Sequence, residues 1–299
     1  MSSTTREAKN LFKGLAFVSP WLVGFSVFLL LPIALSLYYS FCDYNMLQKP
    51  VYVGLANYRL LMHDAVFGKA LQVTLYYAAL SIPAGLGVSL GVAVLLNRNV
   101  VGQPIFRTLV FLPSLVPTIA SAILWKWLFN QRLGLINWLL AKPLALLGLR
   151  GPAWIDDPKW VIPSLALMSV WSVGNTVVIY LAGLQDVPRE LYEAAELDGA
   201  NAFQQLIYVT LPMISPVIFF NLVIAIIAIL QVFDTPFMMT QGGPNRASYF
   251  YTYYLYDNAF AYLHMGIASA MAWIQLLLVL ALTGIAFLTS SKWVHYQGK

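Results

Sequence analysis

The sequence predicts an all-α membrane protein with six spanning helices, and three observations carry that prediction. Hydrophobic residues make up 60% of the 299 and charged residues only 10%, against roughly 45–50% and about 25% in soluble domains. Six runs of 18 or more residues contain no Asp, Glu, Lys or Arg: 14–42, 70–97, 108–125, 160–185, 199–233 and 258–291. A hydrocarbon core of ~30 Å takes about 20 such residues in helical form, and a backbone left unpaired in lipid is too costly for these runs to be irregular.

The spans are expected at about 15–40, 70–96, 106–129, 161–184, 213–234 and 267–289, forming one domain over 15–290 between tails 1–14 and 291–299. The first follows Arg6, Lys9 and Lys13 but is too long for a secretory h-region. No small-residue cleavage pattern follows it, so it reads as a retained span. In the third, Pro113 and Pro117 frame Ser114 and precede Thr118. Prolines free carbonyls and kink a helix, and irregular backbone at depth is tolerated only against protein or a water-filled cavity. Lys126, near the outer end of that span, can snorkel to the interface and is not assigned to substrate. The fourth span offers Ser169, Trp171, Ser172, Asn175 and Thr176, with Trp171 and Asn175 four apart and so on one helical face. The fifth offers Asn221, Gln231 and Asp234. Polar residues in spans are expensive and tend to line cavities, although small hydroxyls and Asn also tie neighbouring helices together.

Six spans place both termini on one side. With the N-terminus inside, the inner segments carry eight of the 17 basic residues: Arg6, Lys9, Lys13, Arg98, Arg107, Arg189, Lys292 and Lys299. The count is nearly even, but the inner segments are shorter and three of these residues directly precede the first span, which favours this orientation. The outer regions are rich in rings, with Trp138, Trp154 and Trp160 in one and SYFYTYYLYDNAFAY (248–262) in the other. Such rings suit the headgroup level. The single cysteine, Cys42, excludes an internal disulfide. The net charge of +5 forms no basic stripe, so the partners read as membrane lipid and not nucleic acid.

The inner loop 186–212 stands apart. From Asp186 to Asp198 it holds five of the chain's 12 carboxylates: Asp186, Glu190, Glu193, Glu196 and Asp198. Asp186 and Pro188 read as a helix start. Leu191, Ala194 and Ala195 give that helix a small apolar face, and Asp198-Gly199 is a turn signal. Asn201 followed by Gln204 resembles a capping box. It opens a second helix with Phe203, Leu206, Ile207 and Leu211 at helical intervals, ended by Pro212. Helices lying on anionic headgroups are usually basic, so an acidic amphipathic pair suits docking to a protein with basic groups.

This segment resembles a family motif. Glu193-Ala194-Ala195, Gly199, Val209, Leu211 and Pro212 stand at the spacing of the EAA loop of ATP-binding-cassette (ABC) importer permeases, with Val209 where isoleucine is commoner. The third-span stretch LPSLVPTIASAILWKWLFN with GLIN (134–137), and FDTPFMMTQGGPN (233–245), are similar to the carbohydrate-uptake, maltose-type branch. The likeness runs from about residue 15 to the end. It lacks the extra N-terminal spans and large periplasmic insertion of the bigger maltose permease subunit.

The resemblance implies the type I importer fold in a bacterial or archaeal plasma membrane. It also implies a second homologous permease, two cytoplasmic ATPases and an extracytoplasmic solute-binding protein as partners. ATP and Mg would be bound by the ATPases, with no cofactor on this chain. The loop would be a coupling helix seated in an ATPase cleft, with Glu193 bonding basic or polar groups and Gly199 turning the chain. The equivalents of Ser114, Thr118, Ser169, Ser172 and Thr176, and of the region around Gln231, fall in segments that contact sugar.

No GxxxxGK[ST] phosphate loop occurs and no GxSxG elbow, and His63, His264 and His295 lack metal-ligand spacing, so no catalysis is expected. An ion-coupled secondary carrier would need acids at mid-span, which all six runs lack. A permease for a glycerol-3-phosphate-like or other polar solute is the further alternative, weakened by the absence of an arginine pair within the spans.

Overall fold

The computed structural model describes residues 3–98, 101–146 and 148–295. The side chains of Arg6 and Lys9, and residue Lys299, all assigned to the inner side above, lie outside that described part. By its contacts the chain divides into two compact units, Met1–Asp64 with Leu255–Ile274, and Ala65–Tyr254 with Gln275–Lys299.

In the first unit, helix Ser3–Phe25 passes through a π turn, Ser26–Leu30, into helix Leu31–Ser40. Most of the expected N-terminal tail therefore belongs to the same helix as the first span. The stretch Phe12–Ser40 is long and apolar enough to cross a membrane, yet its most apolar window has nothing buried within the chain, and Phe17 is 90% exposed. Apolar side chains on every side of a helix need an apolar surrounding. A short antiparallel pair, Cys42–Asp43 with Val51–Tyr52, follows, then helix Ala56–His63. Neither was expected from an all-helical reading. The sixth span, Met265–Ser290, meets this loop at Gly266, where a Cβ would stand 2.1 Å from the Cys42 carbonyl oxygen. Asn57 Nδ2 donates to the Ser40 and Cys42 carbonyls at 2.9 Å each, which satisfies buried acceptors at the end of the first span.

In the second unit, the second span, Ala65–Leu96, packs against both halves of the fourth and against the fifth. Among the described residues of both units, three helices are long and apolar enough to cross a membrane, and counting each of three bent pairs as one span brings the number to six. The bent pairs are Gln103–Leu115 with Thr118–Leu128 at 97°, Val161–Trp171 with Gly174–Gln185 at 52°, and Ala202–Met213 with Ser215–Leu230 at 67°.

Each break corrects the expected spans. In the third, Val116 is extended (φ −74°, ψ 127°), as the residue before a proline must be, and the outcome is a right-angle turn instead of a kink. The fourth was expected to be continuous. It stops after Trp171 and restarts at Gly174, so the shared helical face inferred for Trp171 and Asn175 does not exist. The fifth span narrows from 213–234 to Ser215–Leu230. Gln231 caps that helix and Asp234 opens the next, Asp234–Met239, so neither lies inside a span. Pro212 does not end the preceding helix either. A π turn at Leu206–Thr210 directly precedes it, the kind of irregularity that absorbs a missing N–H, and the helix continues to Met213.

Candidate functional site: the coupling segment and the central cavity

Two places within the second unit collect the residues singled out above. The first is the segment Arg189–Met213. Its leading helix, Arg189–Leu197, begins with Pro188 at the cap position. Asp186, expected to cap it, instead follows the end of Gly174–Gln185. The helix closes with a Schellman arrangement: Ala200 N–H bonds the Ala195 carbonyl at 2.9 Å and Gly199 N–H the Glu196 carbonyl at 3.0 Å. Gly199 has φ +80°, a conformation that a Cβ disfavours. The expected capping box is present in both directions: Gln204 N–H donates to Asn201 Oδ1 at 2.9 Å, and Asn201 N–H to Gln204 Oε1 at 2.8 Å. The Tyr192 hydroxyl lies 3.0 Å from Thr210 Oγ1 and ties the two helices together.

The segment has two faces. Tyr192, Val209, Leu211 and Met213 pack on a core of Ala93, Leu96, Val177, Tyr180, Leu184 and Ile214, so it is fixed to the ends of the second, fourth and fifth spans. Glu190, Glu193, Ala194, Glu196, Asp198 and Gly199 face outward, with Leu197 91% exposed among them. Ala195, Leu211 and Pro212 are half-buried. An acidic, partly apolar surface on a rigid base is what the arrangement offers to a partner.

The second place is a cavity of about 290 Å³ where the third and fourth spans break. Six of the ten expected pathway residues line it: Ser114, Thr118, Ser169, Trp171, Ser172 and Asn175. Trp171 and Asn175 reach it from either side of the break. Thr176, Asn221, Gln231 and Asp234 are not among its walls. Asn221 is 4% exposed and sits beside Tyr180, with its Nδ2 unpartnered, so it meets a neighbouring helix and not the cavity. Tyr77, Ser121 and Thr235 line the wall as well. Sequence reading missed them because a lone hydroxyl among apolar neighbours carries no signal of the direction it faces.

No charged side chain lines this cavity. The Ser114 and Ser169 hydroxyls donate to their own helices, to the Phe111 and Ala166 carbonyls at 2.7 Å each, which leaves their lone pairs as acceptors. Among the described residues, Thr118, Asn175 and Thr235 have no side-chain partner and offer both donors and acceptors. Trp125 packs edge-on to Trp171 with centroids 6.0 Å apart and fixes its ring. Just past the break, Gly174 packs closely: an added Cβ would lie 2.9 Å from Phe111 Cα, Ser114 Oγ and the Val110 carbonyl oxygen. On its other side a smaller pocket of about 210 Å³ holds Arg107 and Gln185.

Comparison with known proteins gives the family. A permease of Bacillus subtilis described as the probable ABC transporter permease protein YesP is 39% identical over 304 residues, covering 100% of this chain and 97% of its own. The trehalose/maltose transport system permease protein MalF of Thermococcus litoralis is 32% identical, covering 93% and 92%. A chain of a bacterial alginate ABC transporter, solved in complex with an alginate pentasaccharide-bound periplasmic protein, shares the fold with a TM-score of 0.81 at 24% identity, over 95% of this chain and 96% of that one. Residues 81–295 match the family described as binding-protein-dependent transport system inner membrane component. With most of its length matched in this way, the chain belongs to that family and is an ABC importer permease.

Proposed function

We propose that this chain is one of two permease subunits in a sugar importer, and that it moves a neutral di- or oligosaccharide through the cavity at Trp171. The observation that carries the reading is the wall chemistry: among the described residues, hydroxyls, one amide and a fixed indole beside the apolar Val116, Leu165 and Met168, with no charge. A polyhydroxylated neutral solute needs donors and acceptors in comparable number, plus an aromatic face for its C–H side. A glycerol-3-phosphate-like solute calls for cations, and an ion-coupled carrier calls for an acid at the site; the cavity offers neither. The name of the relative that carries trehalose/maltose supports a carbohydrate.

The drive comes from outside the chain. Two cytoplasmic ATPases bind ATP and Mg, and one of them receives the Arg189–Met213 segment, with Glu193 against its basic or polar groups. Both termini are then cytoplasmic, and the binding protein delivers sugar at the opposite face. Because the segment shares a core with the second, fourth and fifth spans, its displacement as the ATPases close moves the cavity walls directly. The ATP-bound dimer supplies the free-energy difference between the two cavity states.

The test is reconstitution with the cognate second permease, ATPases and binding protein. Uptake is measured for glucose, trehalose, maltose, lactose, and malto-, cello- and xylo-oligosaccharides of up to six units. ATP-dependent uptake of at least one neutral sugar, lost on Glu193→Lys, is expected. Uptake confined to anionic or non-carbohydrate solutes sinks the sugar reading, and undiminished uptake by the Glu193→Lys importer sinks the coupling role.

A further inference from the structure

Helix Thr118–Leu128 packs against helix Asp234–Met239, and this pair connects two polar cavities. Its N-terminal ends give Thr118 and Thr235 to the cavity at Trp171. Its C-terminal ends carry Lys126 and Met239 to a second pocket of about 340 Å³, closed by Asp156 and Gln241. From Thr118 to Lys126 the helix rises by about 12 Å. Asp156 precedes the fourth span and Gln241 follows the fifth, so the pocket lies at the end of these spans away from the coupling segment.

The pocket is built and not a surface accident. Its wall residue Gln241 has φ 50°, and Gly242, Asn245 and Arg246, neighbours in sequence of the wall residues Gly243 and Pro244, have φ 79°, 48° and 60°. Left-handed backbone at residues other than glycine is unfavourable and persists where surrounding structure imposes it, often at functional sites. Here the fully buried Ser248 imposes it, its hydroxyl bonded to Thr240 Oγ1 and to the Gly243 carbonyl. Lys126 and Asp156 bring opposite charges to one pocket, yet among the described residues neither makes an ion pair. Their ammonium donors and carboxylate acceptors are thus free for a ligand. Lys126 has more to do than snorkel.

We infer that the Lys126–Asp156 pocket is an outer carbohydrate subsite. It holds one end of a chain of sugar units whose other end occupies the cavity at Trp171. The inference rests on the sugar reading above. A carboxylate accepting from adjacent ring hydroxyls, with an ammonium and the Gln241 amide donating beside it, suits a pyranose. The rise between the pockets exceeds one ring, so a substrate that fills both is an oligosaccharide, and a shorter sugar uses one pocket at a time.

The test uses the full reconstituted importer with Lys126→Met or Asp156→Asn, and the oligosaccharide series that the wild type takes up from the panel above. The uptake ratio of the longest to the shortest accepted member is expected to fall about tenfold in either variant, the loss that follows from removing one charge-assisted hydrogen bond. Independently, a Gln241→Cys importer labelled with a maleimide is expected to be protected by the longest member and not by the shortest. An unchanged ratio with equal protection by both overturns the subsite, as does a wild type that accepts single-unit sugars alone. Trp171→Ala separates the two levels. If it depresses uptake of every length while the ratio in the other variants stays flat, the sugar reading stands and the subsite falls. If no sugar is taken up by the wild type, both fall.

Discussion

The coupling segment and the central cavity are assembled by opposite means. In the segment, one uninterrupted stretch carries the helix, the Schellman turn at Gly199, the capping box at Asn201 and the π turn before Pro212, and its acids point outward. The cavity takes Tyr77, Ser114, Ser169 and Thr235 from four separate parts of the chain and exists because helices stop where they meet. A device written in contiguous residues works by presenting a fixed surface. One gathered from several helices changes shape whenever those helices move, which suits the transport and docking roles proposed for the two regions.

The sharpest way to break this contrast is to reverse the charge at the docking surface. Glu193→Lys is expected to lower sugar-stimulated ATPase activity on the order of a hundredfold, since losing one member of a paired charge at an interface costs about 2–5 kcal/mol. Glu193 is exposed, so the variant chain should insert and fold as the wild type does. Wild-type stimulation with a co-purified ATPase would show that the acidic face docks nothing.

Next comes the close contact at the break in the fourth span. Gly174→Val adds a branched side chain where even a Cβ meets Phe111, Ser114 and Val110 at 2.9 Å. Overpacking of that kind costs about 1–3 kcal/mol, so a lower unfolding midpoint in detergent is expected, together with at least a severalfold loss of uptake as the third and fourth spans are pushed apart. A variant with an unaltered midpoint and uptake would mean that the close approach has no role.

How much of each region could be read in advance follows from the same contrast. The capping box, the Gly199 turn and the acidic face were legible because each depends on residues within a few positions of one another. The six spans were legible as apolar runs, but their breaks only partly so. Pro117 announced one. The break after Trp171 has no proline, and what distinguishes it is the close approach of Gly174 to Phe111, a contact between residues far apart in sequence. For the same reason Tyr77 and Thr235 were missed, while Asn221, polar and within a span, was a reasonable candidate that turned out to face Tyr180.

That uneven legibility can be tested in one pair of substitutions. Ser172, in the break, lines the cavity, and Thr176, four residues on in the next helix, does not. Ser172→Leu is expected to lower uptake about tenfold by filling the space with an apolar group that cannot replace the hydrogen bonds lost. Thr176→Leu is expected to leave uptake within about twofold, as substitutions away from a site usually do. Equal losses at both positions would extend the sugar path past the walls described above.

The smallest effect is expected at Asn201, and its size decides what the second coupling helix is for. Asn201→Ala removes the Oδ1 acceptor of the capping box and leaves the backbone N–H that donates to Gln204 Oε1, a loss of about 1 kcal/mol of local stability at a helix start. The helix does not depend on its cap alone, because the Tyr192–Thr210 hydrogen bond and the burial of Val209 and Leu211 hold it from the other side. Coupled ATPase activity should therefore stay within about twofold of the wild type, with faster amide exchange confined to residues 202–205. If Asn201→Ala instead lowers coupling as far as Glu193→Lys, the N-terminus of this helix is itself a contact with the ATPase. The docking surface would then run past the Gly199 turn onto Phe203, which is 69% exposed, and both helices, not the acidic one alone, would carry the load between the ATPase and the spans.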